Sequence, residues 1–194
     1  MTYQAASGAG AKQMIELARQ MAFLAGQAEG TLSQPAATAL EIDTALTAAL
    51  RSQDVPAANF KVPLALSLIP WIDSAMENGQ TREEWKGAAE TNKILQTKQY
   101  IPVDGQCVRI AAMRCHSQGL TVKLTDNIPL DEVISLIGEA HSWVKVIPNE
   151  FENTIKELTP AAVSGRLEIP IGRIRKANIG PEYITAFTVG DQLL

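Results

Sequence analysis

Cys107-Val108-Arg109-Ile110-Ala111-Ala112-Met113 decides how this chain is read. A short run of apolar and β-branched residues predicts a strand, and Leu120 to Leu124 predicts a second. Further on, Val144-Lys145-Val146-Ile147 reads as a strand ended by Pro148. Ile169 to Ile174 and Ile184 to Val189 read as two more, joined through Asn178, Gly180 and Pro181. Leu130, Val133, Ile134 and Ile137 place a short helix over 130–140. Upstream the period changes. Met14, Leu17, Ala18, Met21, Leu24, Ala25 and Ala28 recur at helical spacing, so residues from about 10 to 29 read as an amphipathic helix. Ala39, Leu40, Ile42, Ala45, Leu46, Ala49 and Leu50 mark another after Pro35. Residues 51–70, broken by Pro56, Pro63 and Pro70, read as loop. Thr81 and Glu84 form a capping box for a helix running to about Leu95. Helices fill the first half and strands the second. That order predicts an α+β fold: a mixed, largely antiparallel sheet covered by helices on one face.

The chain has 194 residues, which suits a single domain spanning 1–194. Hydrophobic residues at 46% and charged residues at 20% exclude wholesale disorder. The formal charge, 17 − 21 = −4, denies it the broad positive field of a nucleic-acid or anionic-membrane binder. Any anion must be held by a few placed cations. The longest apolar stretch, Val62 to Ile72, carries Pro63, Ser67 and Pro70 and is too short for a membrane span. Residues 1–7 have neither the basic nor the apolar region of a signal peptide. Cys107 and Cys115 form no C-x-x-C pair, and two such thiols point to a reducing, cytoplasmic location.

Several residues offer chemistry, each with a plain structural alternative. Glu83 and Lys86, at i and i+3, share one helix face: a pair for a small zwitterion, or a surface ion pair. Arg109, inside an apolar strand, is a fork for a carboxylate or a partner for an acid. Arg114-Cys115-His116 is the densest reactive cluster. Strand neighbours point to opposite faces, so a Cys115–His116 nucleophile pair fails and Cys115 reads as a packing residue. His116 remains a candidate acid or base, or a structural histidine. On a straight strand Arg109 and His116 would lie roughly 23 Å apart on opposite faces. They line one site only if the chain bends between them. Ser7-Gly8-Ala9-Gly10 before a helix is a phosphate cradle or a bare cap. Arg173 and Arg175 read as a solvated or interface face. No zinc-spaced Cys/His set, Walker A motif, G-x-S-x-G or G-x-G-x-x-G after a strand is present, so no metal site is expected.

These segments resemble aspartate-semialdehyde dehydrogenase of the Gram-negative bacterial type. The resemblance runs through Thr2-Tyr3-Gln4-Ala5-Ala6-Ser7-Gly8, the Val62–Asp73 stretch, Arg82-Glu83-Glu84-Trp85-Lys86-Gly87 and Ile101-Pro102-Val103-Asp104-Gly105. It continues through Met113-Arg114-Cys115-His116-Ser117-Gln118, Glu157 to Val163 and Gly180 to Leu194. The resemblance implies NADP-dependent reduction of aspartyl phosphate to aspartate semialdehyde and phosphate, on the route to lysine, methionine and threonine. It implies His116 as acid/base, Gln4 positioning the acyl group, and Arg109 on the substrate carboxylate. It further implies Glu83 on the amino group, Lys86 at the phosphate, and Ser7, Gly8, Pro35 and Gln192 at NADP. The related reductase of N-acetylglutamyl phosphate fits less well, because an acetylated amine gives Glu83 no charge to meet. In the family the nucleophilic cysteine and the Rossmann-type NADP-binding domain lie upstream of Tyr3-Gln4, and a terminal helix follows. The expectation is therefore a substrate-binding and homodimerisation domain only, catalytically incomplete alone, or a purely structural homodimerisation module.

Overall fold

The computed structural model describes residues 1–193; Leu194, the last residue of the resemblance, lies outside them. The chain begins with β1 (Thr2–Gln4), a 3₁₀ turn (Ala6–Ala9), α1 (Ala11–Leu32) and α2 (Ala39–Leu50). β2 (Leu68–Ile69), α3 (Arg82–Ile94), β3 (Cys107–Ile110) and β4 (His116–Lys123) follow. The rest is α4 (Leu130–Ala140), β5 (Val144–Val146), α5 (Phe151–Glu157), α6 (Pro160–Val163), β6 (Ile169–Lys176) and β7 (Tyr183–Gly190). The seven strands make one open sheet in the order β2-β3-β1-β4-β7-β6-β5. β1 runs parallel to β3, and β5 parallel to β6. The other neighbours are antiparallel, so the sheet is mixed and largely antiparallel in an α+β fold.

Two differences from the sequence reading matter for the site. The strand from Cys107 stops at Ile110, and the next begins at His116 rather than Leu120. The chain reverses between them, helped by Cys115 in the left-handed region at φ 73. The second difference is β1 itself, three residues with no readable period. It inserts between β3 and β4 and joins them.

The core has two parts. Leu17 and Leu24 of α1 pack with Ala6, Ala49, Leu64 and Ala65. Each leucine so buried contributes about 2 kcal/mol. The proline-broken loop is drawn onto α1 by polar anchors. Gln20 Oε1 accepts from the Leu64 and Ala65 amides at 2.8 and 2.9 Å, and Gln20 Nε2 donates to the Pro56 carbonyl at 2.8 Å. The second part holds Cys115, Ile147, Leu158, Val163 and Val189. Near β5 and β6 helices reach both faces. Gly138 of α4 lies against Val146, whereas Leu158 and Ile147 close on Gly172, where a Cβ would meet them at 3.0 and 3.1 Å.

Candidate functional site

β1 is the axis of the site. Gln4 pairs with Arg109 on β3, and Tyr3 with Ser117 on β4. One further step of that antiparallel register sets Gln4 level with His116. Side chains of paired residues share a face. Arg109, Gln4 and His116 therefore form a row across one face of the sheet, and the bend between Arg109 and His116 is the reversal that precedes Cys115.

Ala5 fastens both ends of the row. Its N–H donates to His116 Nδ1 at 3.2 Å, and its carbonyl accepts from Arg109 Nη1 at 2.7 Å. Gly8 closes over the same two side chains. A Cβ there would stand 2.8 Å from His116 Nε2 and 3.3 Å from Arg109 Nη1. Arg109 is 7% exposed and remains a cation, although burial lowers its pKa. Burial first, and the Arg109 charge second, push His116 down to about 4, against a small opposing pull from Glu83. His116 is thus a neutral imidazole at pH 7.

α3 carries the acid and the ammonium to the row. Thr81 accepts from the Glu84 amide, and Glu84 Oε2 accepts from the Thr81 amide at 2.7 Å, the expected capping box. Glu84 Oε1 also accepts from the Cys107 N–H at 3.1 Å, which moors the start of α3 to β3. Glu83 then faces Gln4, whose Nε2 donates to Glu83 Oε1 at 3.2 Å. Lys86 Nζ donates to Glu83 Oε2 at 3.1 Å and stands 3.8 Å from Asp73. Its pKa is raised, chiefly by the Glu83 hydrogen bond. The reversal before His116 is clamped from below. Arg114 Nε and Nη2 donate to the two oxygens of Asp191 at 2.8 and 2.7 Å, and Asp191 also accepts from the Gly165 and Leu193 amides. These bonds, led by that of Arg114, hold the Asp191 carboxyl at about 2.

The cysteines stand apart from this chemistry. Cys115 is fully buried among Ile147, Val163 and Val189, with Sγ 3.4 Å from Ser164 Oγ. Burial raises the pKa of both Cys107 and Cys115, so both are resting thiols at pH 7. Ser7 and Gly8 sit on the 3₁₀ turn beside the row, and Ser7 Oγ is buried without a hydrogen-bond partner. Gln192 is exposed just beyond β7, whose Gly190 pairs with His116. Pro35 is separate. It follows α1, whose 22 residues start at the row and run away from it for about 33 Å. Arg173 and Arg175 are exposed on β6, astride a bulge where Arg173 is left-handed at φ 55. Among the described residues no cluster of three His, Cys, Asp or Glu side chains is placed to hold a metal ion.

Sequence reasoning missed Ala5, Asp73 and Glu84 as parts of the site. Ala5 acts through its peptide, which carries no sequence signal. Asp73 lies in a stretch with no periodic pattern, and its left-handed φ of 72 is visible only in the fold.

The mixed sheet lays a guanidinium, an amide and an imidazole in one row, with an acid and an ammonium at its edge. The chain belongs to the family described as semialdehyde dehydrogenase, dimerisation domain, whose model matches residues 1–194. It is similar to the aspartate semialdehyde dehydrogenase from Francisella tularensis, with 45% identity and a TM-score of 0.93. That match covers 100% of this chain and 52% of that one. Aspartate semialdehyde dehydrogenase II from Vibrio cholerae, in complex with ASA, matches at 26% identity and a TM-score of 0.73, covering 99% of this chain and 48% of that one. The chain spans about half the length of these structures. No helix among the described residues is long and apolar enough to cross a membrane.

Proposed function

We propose that the chain supplies the substrate site of an NADP-dependent aspartate-semialdehyde dehydrogenase acting on aspartyl phosphate, in the cytoplasm and as a homodimer. The row of Arg109, Gln4 and His116, edged by Glu83 and Lys86, carries this reading. Its charges are complementary to the substrate's own groups. Arg109 offers a two-pronged donor to the α-carboxylate. Glu83 meets the ammonium, Lys86 meets the phosphate, and Gln4 spans the acyl carbon between Glu83 and His116. Both dehydrogenases compared above carry aspartate semialdehyde in their names, which supports the substrate class.

NADP in its reduced form, NADPH, would supply the hydride. The orphaned Ser7 hydroxyl, the exposed backbone at Gly8, where no side chain stands in the way, and the exposed Gln192 fit the edge of such a cofactor; Pro35 would reach it only from the far end of α1. The nucleophile is the missing part. Neither Cys107 nor Cys115 is a thiolate, and Cys115 lies in the core. The family's covalent route needs a cysteine from its nucleotide-binding half. We expect the chain alone to give no NADPH absorbance with aspartate semialdehyde, phosphate and NADP at high protein concentration and verified mass. A rate scaling with chain concentration, in a preparation free of full-length enzyme, would overturn this.

The structural-module reading has its own support. Ile94, Leu95 and Tyr100, at and after the end of α3, are 76%, 60% and 64% exposed, a costly display for a monomer. Sedimentation equilibrium of the chain, combined with calorimetry against aspartate semialdehyde, separates the readings. A dimer that binds the semialdehyde supports the substrate site, and a dimer that does not bind it leaves assembly alone.

A further inference from the structure

We propose that Asn78 is a site of spontaneous deamidation, and that the carboxylate formed there turns the Gln80 side chain round and releases it from Asp104. The chain has seven asparagines, and only Asn78 is followed by glycine. Deamidation begins when the backbone nitrogen of the next residue attacks the asparagine Cγ. A side chain on that residue hinders the attack, and glycine has none. Residues 74–82 form a small hairpin that runs into Thr81, the N-cap of α3. The Met76 N–H donates to the Gln80 carbonyl at 2.9 Å, the Gly79 N–H to the Met76 carbonyl at 3.1 Å, and the Arg82 N–H to the Ser74 carbonyl at 2.8 Å. Asn78 and Gly79 are exposed at the tip. Gly79 is left-handed at φ 87, and no atom lies within 4 Å of where its Cβ would stand. The bond that must open for reaction, from Gly79 to Met76, therefore opens into solvent.

In the reaction, hydroxide takes the Gly79 amide proton and the nitrogen bonds to Asn78 Cγ. The Cγ–Nδ2 bond breaks and ammonia leaves. Water then opens the resulting succinimide ring at one of its two carbonyls, giving aspartate or isoaspartate at position 78. Amide and water become acid and ammonia, with no change of oxidation state.

Asn78 heads a directed relay. Its Nδ2 donates to Gln80 Oε1 at 2.8 Å, and Gln80 Nε2 donates in turn to Asp104 Oδ1 at 3.0 Å. The same Asp104 oxygen accepts from the Gly105 amide at 2.8 Å, on the approach to β3. The Asn78 amino group sets the direction. An ionised carboxylate only accepts. With one at position 78, Gln80 Oε1 loses its donor and faces a negative oxygen. The Gln80 amide then turns, Nε2 toward position 78 and Oε1 toward Asp104, and the strap from the hairpin to the approach of β3 is lost. Asn78 Oδ1 also accepts from the Gln80 backbone amide at 3.1 Å, a bond that aspartate keeps. Isoaspartate instead adds a methylene to the main chain, so the Met76–Gln80 and Ser74–Arg82 rungs no longer match.

The first step is tested by holding the full chain at mildly alkaline pH and mapping it with trypsin, beside a urea-unfolded sample. Peptide 62–82 should gain the mass of an amide turned acid, at a rate an order of magnitude above that of any other asparagine-bearing peptide. Isoaspartyl methyltransferase should label part of the product. A peptide 62–82 that stays unchanged in the folded chain, whatever the unfolded sample does, would overturn the site. The second step is tested with Asn78→Asp. The Asp104 carboxyl ¹³C signal should move in this variant about as far as it moves in Gln80→Ala, because both lose the Gln80 donor. An Asp104 signal unmoved in Asn78→Asp but moved in Gln80→Ala would overturn the relay.

Discussion

At the scale of single residues, the site is built by what is small or unseen. Gly8 matters for a missing methyl group. A Cβ at that position meets His116 Nε2 at 2.8 Å, closer than such contacts normally come. Gly8→Ala should therefore leave a folded chain, at a cost of about 1 kcal/mol from overpacking. On the substrate reading proposed above, it should weaken aspartate semialdehyde binding more than tenfold, because the side chain that must yield is His116. Calorimetry alongside a urea melt reads both effects. His116 adds a pH dependence. Its folded pKa of about 4 lies below the usual 6.5, so between those values the unfolded chain takes up a proton that the folded chain refuses. Its contribution to stability is complete above pH 6.5 and is lost as pH falls toward 4. The urea midpoint should drop between pH 7 and pH 5, and His116→Gln should drop less. Equal drops would refute the assignment.

At the scale of elements, α3 and β3 are joined by one carboxylate with two duties. Glu84 caps its own helix and accepts the Cys107 amide of the strand. An ordinary capping loss costs about 1 kcal/mol. Glu84→Ala should cost roughly 2 kcal/mol, because a strand amide loses its charged acceptor too. It should also broaden the Gln4 and Glu83 signals in NMR spectra. Thr81→Ala, which removes only the cap, should cost half as much and leave Glu83 in place. The sequence announced this capping box plainly, since both partners lie four residues apart or fewer. It also announced α1, α2 and α4, whose apolar residues recur over two turns or more. It could not announce β1, α5 or α6. A three-residue strand and a four-residue helix hold too few residues to display a period. The strand from Cys107 read too long because Ala111, Ala112 and Met113 continue its apolar run. They bend away to pack toward α1 and the 3₁₀ turn, where Ala112 and Met113 accept the Ala6 and Ser7 amides. The candidate site was legible as residue types, with Arg109, His116, Glu83 and Lys86 all singled out. Their meeting was not legible, because it depends on β1 lying between two strands more than a hundred residues away.

At the scale of the whole molecule, that placement of β1 has a kinetic side. The bond from Arg109 to Ala5 closes a loop of 104 residues. Closing a loop of this length costs entropy that few contacts repay until the sheet is nearly complete. The row of functional groups should thus be among the last features to form. A ligand of the row, aspartate semialdehyde included, should leave the refolding rate unchanged and slow unfolding in proportion to its affinity. Stopped-flow refolding and unfolding with and without the ligand checks this, and a ligand that accelerates refolding would mean the row forms early. In a cell, the same order of events makes the site a certificate of completion. A chain that presents Arg109, Gln4 and His116 together has already closed a loop of more than a hundred residues, so partly folded copies cannot compete for a ligand of the row.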